Sequence, residues 1–503
     1  MKKGLSVMLM GLFLSGLGAV GYGASKDEIV VCQTAEVNSL DPARHNSITD
    51  VNYANEVFDE LYFPDAKGVP VPSLALSHKL INDTTWEFKL RKGVRFHDGT
   101  AMTANDVKFS IDRMIDPNVK ALFQTFFTTI KDISVIDDST IRIATKSPDP
   151  LLLNRLAMGA LWVFPAELFK KQGAETFFQH PIGTGPFKFV SWNRNDRMVL
   201  EANPNYWGGA PKVKRLVIRP VPEVSARLAE LQTGNADVIS GVSPFLVPKL
   251  REAPNVVVQS VLSGRVIFVY INCSGQDALK NKKVRQALNY AIDRKAIVDN
   301  ILTGSGVPNA VGLTNYHFGF DPALKPYPYD PAKAKKLLAE AGYPNGFKVE
   351  FDSPSGRYLM DKEISEAVMK MLNAIGVQTE LKVMEWGSLV QIYSGKKLKD
   401  LGFIGWGNTL SDADGTLTPF YGNSTSPFSY FSTPSLASKI NQARTTMDSK
   451  KRVAIYKQIQ AELFDEAPLI YLYQQIDNYG VYKELKGFQA RGDERMFFWN
   501  VSK

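Results

Sequence analysis

Apolar and polar residues alternate with a period of two over residues 29–34, 86–90, 134–143 and 377–383; in the last, Val377, Thr379, Leu381 and Val383 fall on one side. That period lays one face of a β-strand on a core. Between such stretches the period lengthens. Ile364, Ala367, Val368, Met371, Leu372 and Ile375 form a stripe at helical spacing over 364–375, and Gly376 can end that helix because glycine accepts the left-handed conformation at a C-terminus. Asp330-Pro331 opens another helix with a capping carboxylate and a proline at the first turn; Leu337 and Leu338 give its apolar side, and Gly342 closes it. Apolar runs at 266–273, 401–404, 470–473 and 481–482 read as further strands. Strands alternating with helices predict an α/β fold of mixed or parallel sheets joined by crossovers.

The chain has 503 residues, far more than the ~100–200 of one ordinary domain, so at least two globular units are expected. We place a first lobe at residues 26–272 and a second at 273–470, with the terminal segment 471–503 returning to the first. The chain then crosses twice between the lobes, and such a double crossing makes a hinge. The N-terminus follows a different pattern: Lys2 and Lys3 precede an apolar run over 5–22, broken by four glycines and followed by Gly23-Ala24-Ser25 and the charged Lys26-Asp27-Glu28. This order describes a cleavable secretory signal over residues 1–25, cut after Gly23 or Ser25, because a cut after Ala24 would put bulky Tyr22 where a small residue is preferred. No later stretch approaches the ~20 unbroken apolar residues of a membrane span. Cys32 lies beyond the cut, which argues against lipidation and for a free periplasmic protein.

Charge and cysteines narrow the picture further. The formal net charge is +8, but the basic residues are scattered and form no long block interleaved with aromatics, so a nucleic-acid partner is not expected. Only Cys32 and Cys273 are present. An oxidising compartment permits a disulfide between them, but sequence does not report their separation, and two separately buried thiols is the preferred reading.

The usual enzyme signatures are missing: there is no Gly-x-Ser-x-Gly elbow, no Gly-x4-Gly-Lys-Ser/Thr loop, no His-Glu-x-x-His and no Cys-x-x-Cys. Gly183-Thr-Gly185-Pro186 lacks the third glycine of a phosphate loop, and its proline removes a donor, so it reads as a tight turn. His97-Asp98-Gly99 reads as a turn leading to a helix capped by Thr103 and Asp106 rather than as a catalytic dyad. The five histidines are widely spaced, and no metal or cofactor is expected. Paired carboxylates for glycosidic chemistry need only meet in space, so a secreted hydrolase on an α/β scaffold stays open as the rival class.

Five ordered blocks carry a resemblance. They are Trp86-Glu-Phe-Lys-Leu-Arg91-Lys-Gly93-Val-Arg-Phe-His97-Asp98-Gly99 with Thr103-Ala-Asn-Asp106; Gly183-Thr-Gly-Pro-Phe187; Asn203-Pro-Asn-Tyr-Trp-Gly208; Lys283-Val-Arg-Gln-Ala-Leu-Asn-Tyr-Ala-Ile-Asp-Arg294; and Leu337-Leu-Ala-Glu-Ala-Gly-Tyr-Pro344. Over essentially the whole mature chain they resemble the extracellular solute-binding proteins of the peptide and nickel group. The resemblance implies a two-lobed, type II periplasmic binding protein fold with an extra subdomain in the first lobe. It implies a monomer that closes around a peptide-like small molecule and delivers it to the permease of an ABC importer. Arg357, in the loop before the 364–375 helix, looks like the arginine with which peptide-binding relatives grip a ligand carboxylate, since a guanidinium fork holds both oxygens at once. Trp406 offers a flat apolar wall, its flanking glycines let the chain approach a ligand, and Asp412 or Asp414 could meet an ammonium or cap the next helix. Glu36 and Asn38 are the candidates from the first lobe. Dipeptide-binding relatives carry an acid three residues after the tryptophan, where this chain has Thr409; Asp412-Ala-Asp414 looks closer to glutathione-binding members. Nickel- or haem-binding receptors of the same family are the first competitors.

Overall fold

The computed structural model describes residues 27–45, 47–423 and 426–503. The signal peptide expected over 1–25 lies outside them. Among the described residues one eleven-stranded mixed sheet runs through both lobes, in the order Val377–Met384, Phe347–Pro354, Leu401–Gly407, Val256–Ile271, Leu469–Tyr482, Val238–Ile239, Glu28–Gln33, Arg215–Pro220, Arg197–Ala202 and Phe187–Asn193, with Gly306–Pro308 paired alongside Leu469–Tyr482.

Two long antiparallel strands, Val256–Ile271 and Leu469–Tyr482, make the crossings. Their first-lobe halves pair from Val256↔Tyr482 to Leu262↔Ile476, and pairing resumes at Val266↔Gln474, so Ser263, Gly264 and Arg265 together face Gln475. An insertion of this kind bends a strand and raises its twist. The lobes therefore change over at Ser263–Arg265 and Gln475, earlier than 272 on one strand and later than 470 on the other. Accordingly, Val266–Ile271 and Leu469–Tyr473 belong to the second-lobe core with Phe351, Ile364, Val368 and Leu401. The runs at 470–473 and 481–482 are one strand, not two. Its polar middle, Gln474, Gln475, Asp477 and Asn478, is the part that passes between the lobes.

The extra subdomain is a four-stranded sheet, Ala75–Asn82, Thr85–Leu90, Thr140–Thr145 and Ile130–Asp137, with helix Ala104–Ile115 on its core face. The run expected as a single strand over 134–143 is a hairpin. Asp137 accepts from the Ser139 N–H at 2.8 Å and turns the chain there, a local bond that competes with continued extension. The motifs that carry the resemblance hold the subdomain in place. His97 Nδ1 accepts from the Gly183 N–H at 3.2 Å and its Nε2 meets the Gly185 carbonyl at 3.0 Å. Burial pushes this imidazole down to about 4, so it is neutral. Asp59 is a hub, accepting from Thr184 Oγ1 at 2.8 Å, Trp207 Nε1 at 2.9 Å and Tyr206 OH at 3.0 Å. Cys32 and Cys273 are both free thiols, the first buried and the second half-buried.

Candidate functional site

The strands Phe347–Pro354 and Leu401–Gly407 run parallel on the second lobe, Phe351 beside Leu401 and Asp352 beside Gly402, so their carboxyl ends lie close together. Ligands gather at the carboxyl ends of strands in open α/β sheets, because loops there are free of the ladder. After Pro354 the chain wraps around one carboxylate: the N–H groups of Gly356, Arg357 and Tyr358 donate to Asp361 at 3.0, 2.8 and 2.9 Å. That wrapping fixes the main chain at Arg357. Its guanidinium is exposed and lies over the rings of Tyr358 and Trp386, 5.1 and 5.3 Å from their centroids. Among the described residues no carboxylate is paired with it.

Tyr358 links the two strand ends, its hydroxyl donating to the Gly405 carbonyl at 3.1 Å. A Cβ on Gly405 would meet the Tyr358 ring at 2.6 Å, and one on Gly407 would sit 3.2 Å from the Arg265 guanidinium. These glycines therefore make room for internal side chains rather than for ligand backbone, which corrects the expectation drawn from sequence. Trp406 is half-buried, its Nε1 donating to the Gly415 carbonyl at 3.1 Å and its ring 4.8 Å from Phe420 and 5.2 Å from Phe428. Arg357 and Trp406 thus stand near the ends of neighbouring strands.

The aspartates sit in the segment beyond Trp406, whose Nε1 donates to the carbonyl of Gly415, the residue after Asp414. Asp412 is 1% exposed; it takes Arg452 Nη2 at 2.6 Å, the Tyr456 hydroxyl at 2.9 Å and the Asp414 N–H at 2.9 Å. Asp414 is buried, accepting from Thr418 Oγ1 at 2.5 Å with Arg444 Nε at 3.5 Å. Both carboxylates turn inward and order their own loop. Glu36, half-buried after the first strand, accepts from Trp192 Nε1 at 3.1 Å and the Asn195 N–H at 2.5 Å. Asn38 is exposed, its N–H donating to Asp50 at 2.6 Å.

At the changeover between lobes stands a group that sequence reading missed. Glu494 Oε1 accepts from Arg265 Nε at 3.1 Å and Nη2 at 2.9 Å, and Asp477 lies against the pair. Burial first, then the charge of Glu494, pushes the Asp477 carboxyl up to about 7. The signal available in sequence was the polar interruption of two apolar strands, Ser263-Gly264-Arg265 and Gln474 to Asn478.

The lobes touch. Leu410, from the loop after Trp406, is buried in the core of the first-lobe subdomain, and its carbonyl accepts from Asn154 Nδ2 at 2.8 Å. Met447 packs on the same cluster. An open groove of about 1000 Å³ lined by Lys348, Glu350, Gln378, Glu380, Lys399 and Asp400 lies at the opposite, N-terminal ends of the second-lobe strands, away from Arg357 and Trp406. Among the described residues no helix is long and apolar enough to cross a membrane, and no cluster of three His, Cys, Asp or Glu is arranged to hold a metal ion.

A family model described as bacterial extracellular solute-binding proteins, family 5 Middle, matches residues 69–428. The glutathione-binding protein GsiB of Pectobacterium atrosepticum is 32% identical over 488 residues, 94% of this chain and 94% of its own length. Heme-binding protein A of Haemophilus influenzae is 31% identical over 484 residues, 89% of this chain and 87% of its own. Among solved structures, the ABC transporter-associated periplasmic binding protein DppA of Helicobacter pylori, in complex with the peptide STSA, matches with a TM-score of 0.82 at 26% identity, covering 94% of this chain and 98% of that one.

Proposed function

We propose a function from one premise: the chain belongs to the bacterial extracellular solute-binding proteins, family 5. Its fold is the two-lobed, type II fold of periplasmic binding proteins, and the family is made up of binding proteins rather than enzymes. The chain is the substrate-binding component of an ABC importer. It captures a peptide or peptide-derived small molecule, glutathione-like in size and charge, between its lobes and hands it to the membrane permease. It acts as a monomer in the periplasm after loss of residues 1–25, and it performs no chemistry on its cargo.

The observation that carries this reading is Arg357. A guanidinium carried on a loop held by Asp361, seated over two aromatic rings and without a carboxylate partner among the described residues, suits a ligand carboxylate. Trp406 beside it offers apolar surface to the rest of the ligand. Haem is the second reading, favoured by the 31% identity to heme-binding protein A. Native mass spectrometry of protein purified without denaturation separates the two, since such receptors close over their cargo. A retained peptide or glutathione supports the first reading; a haem or metal adduct supports the second. Cleavage products after incubation with peptides would contradict the absence of chemistry.

A further inference from the structure

We propose that Asp477, with Glu494 and Gln475, receives a cationic group of the ligand, the ammonium of a peptide-like solute, on the floor of the cleft between the lobes. The inference rests on the peptide reading above and adds the second charged contact to it.

Charge is unbalanced at this point of the fold. Two carboxylates, Asp477 and Glu494, meet one guanidinium, Arg265, and both of its close contacts go to Glu494 Oε1. Asp477 Oδ1 accepts from Gln475 Nε2 at 2.5 Å. The Ser263 hydroxyl stands beside the two carboxylates, 3.5 Å from Glu494 Oε1. Two buried acceptors, Asp477 Oδ2 and Gln475 Oε1, have no hydrogen-bond partner among the described residues. Gln475 is only 8% exposed, so water cannot freely satisfy that oxygen. Buried acceptors left this way are costly unless a donor arrives, and an ammonium brings three N–H donors and the missing positive charge.

Position supports the same conclusion. Asp477 and Gln475 lie on one crossing strand, and Arg265 lies on the other, in the bulge where the lobes change over. The side chains of Arg265 and Glu494 are 15% and 20% exposed, so the group reaches the surface. Arg265 adjoins Gly407 and lies close to Tyr358, the residue after Arg357. A cation site therefore stands next to the carboxylate anchor, as a zwitterionic ligand requires. Asp412 and Asp414 are already engaged internally by Arg452, Tyr456, Thr418 and Arg444.

The test is titration calorimetry with glutathione and the tetrapeptide Ser-Thr-Ser-Ala, each with a free amine and N-acetylated, on wild type, Asp477→Asn and Glu494→Gln. Acetylation is expected to weaken wild-type binding by about tenfold to a hundredfold. Asp477→Asn is expected to lose as much and to become insensitive to acetylation, the signature of a coupled pair. An acetylation effect of zero on wild type, or one equal in all three proteins, overturns the proposal while leaving the peptide reading intact. If no probe binds wild type, the peptide reading fails and takes the proposal with it. Should Asp477→Asn not fold, wild type and Glu494→Gln decide.

Discussion

Asp412 and Asp477 both stand beside an arginine, and the two surroundings differ in one respect. Asp412 has a matched set: Arg452 balances its charge, and the Tyr456 hydroxyl and Asp414 N–H use its remaining lone pairs. Asp477 shares Arg265 with Glu494 and keeps an oxygen without a partner. A matched buried pair serves the fold, because neither charge can leave without stranding the other. A mismatched group has interaction left to give, and an incoming molecule can supply what is missing. For these two aspartates, the charge left over and the acceptor left over make the difference, where residue type alone does not.

The largest expected effect tests the matched side. Arg452→Ala strands a buried carboxylate and should cost about 3–5 kcal/mol of stability, read from denaturant unfolding. A cost below about 1 kcal/mol would show that Asp412 is solvated and free to bind. Next comes the contact between lobes. Leu410→Ala removes apolar burial in the first-lobe subdomain worth about 1.5–3 kcal/mol. That burial exists only when the lobes meet, so the ligand-free variant should show a larger radius of gyration than wild type in small-angle scattering.

The mismatched side gives a pH signature with a definite sign. Asp477 faces Glu494, Arg265, Tyr479 and, through Arg265, Tyr358. Its carboxyl is held up at about 7, above its unfolded value, so its contribution to stability is full below the ordinary carboxylate range and is lost as pH rises through about 7. Asp477→Asn, neutral throughout, should therefore gain stability relative to wild type as pH rises over that window. Affinity for a free amine should run the other way in wild type, strengthening as Asp477 ionises, and stay flat in the variant. The smallest effect is optical. Trp406, half-buried against Phe420 and Phe428, should change its emission when ligand covers its remaining surface.

Much of the fold was legible because its signals are local. The 3.6-residue stripe ending at Gly376, the Asp330 cap on the Lys333 N–H and the alternation at Val377–Met384 all lie where the sequence puts them. Arg357 was legible through the family resemblance, as a loop residue before a recognisable helix, and Trp406 because it follows the strand-like run at 401–404. The burial of Asp412 was not, since Arg452 lies forty residues away on the helix Ser449–Glu466. The hinge group was hidden for the same reason. Arg265, Asp477 and Glu494 come from three segments that meet only after the crossing strands pair, and the polar break in the second of those strands looked like the gap between two short ones.

The central claim is that a ligand carboxylate is anchored by Arg357. Titration calorimetry of glutathione, or of whatever solute co-purifies, against wild type, Arg357→Ala and Arg357→Lys measures it directly. The account predicts that Arg357→Ala binds roughly tenfold to several hundredfold more weakly, with stability unchanged to within about 0.5 kcal/mol because the side chain is exposed. Arg357→Lys should recover only part of the loss, keeping the charge without the fork. Wild-type affinity in a correctly folded Arg357→Ala protein would contradict the claim.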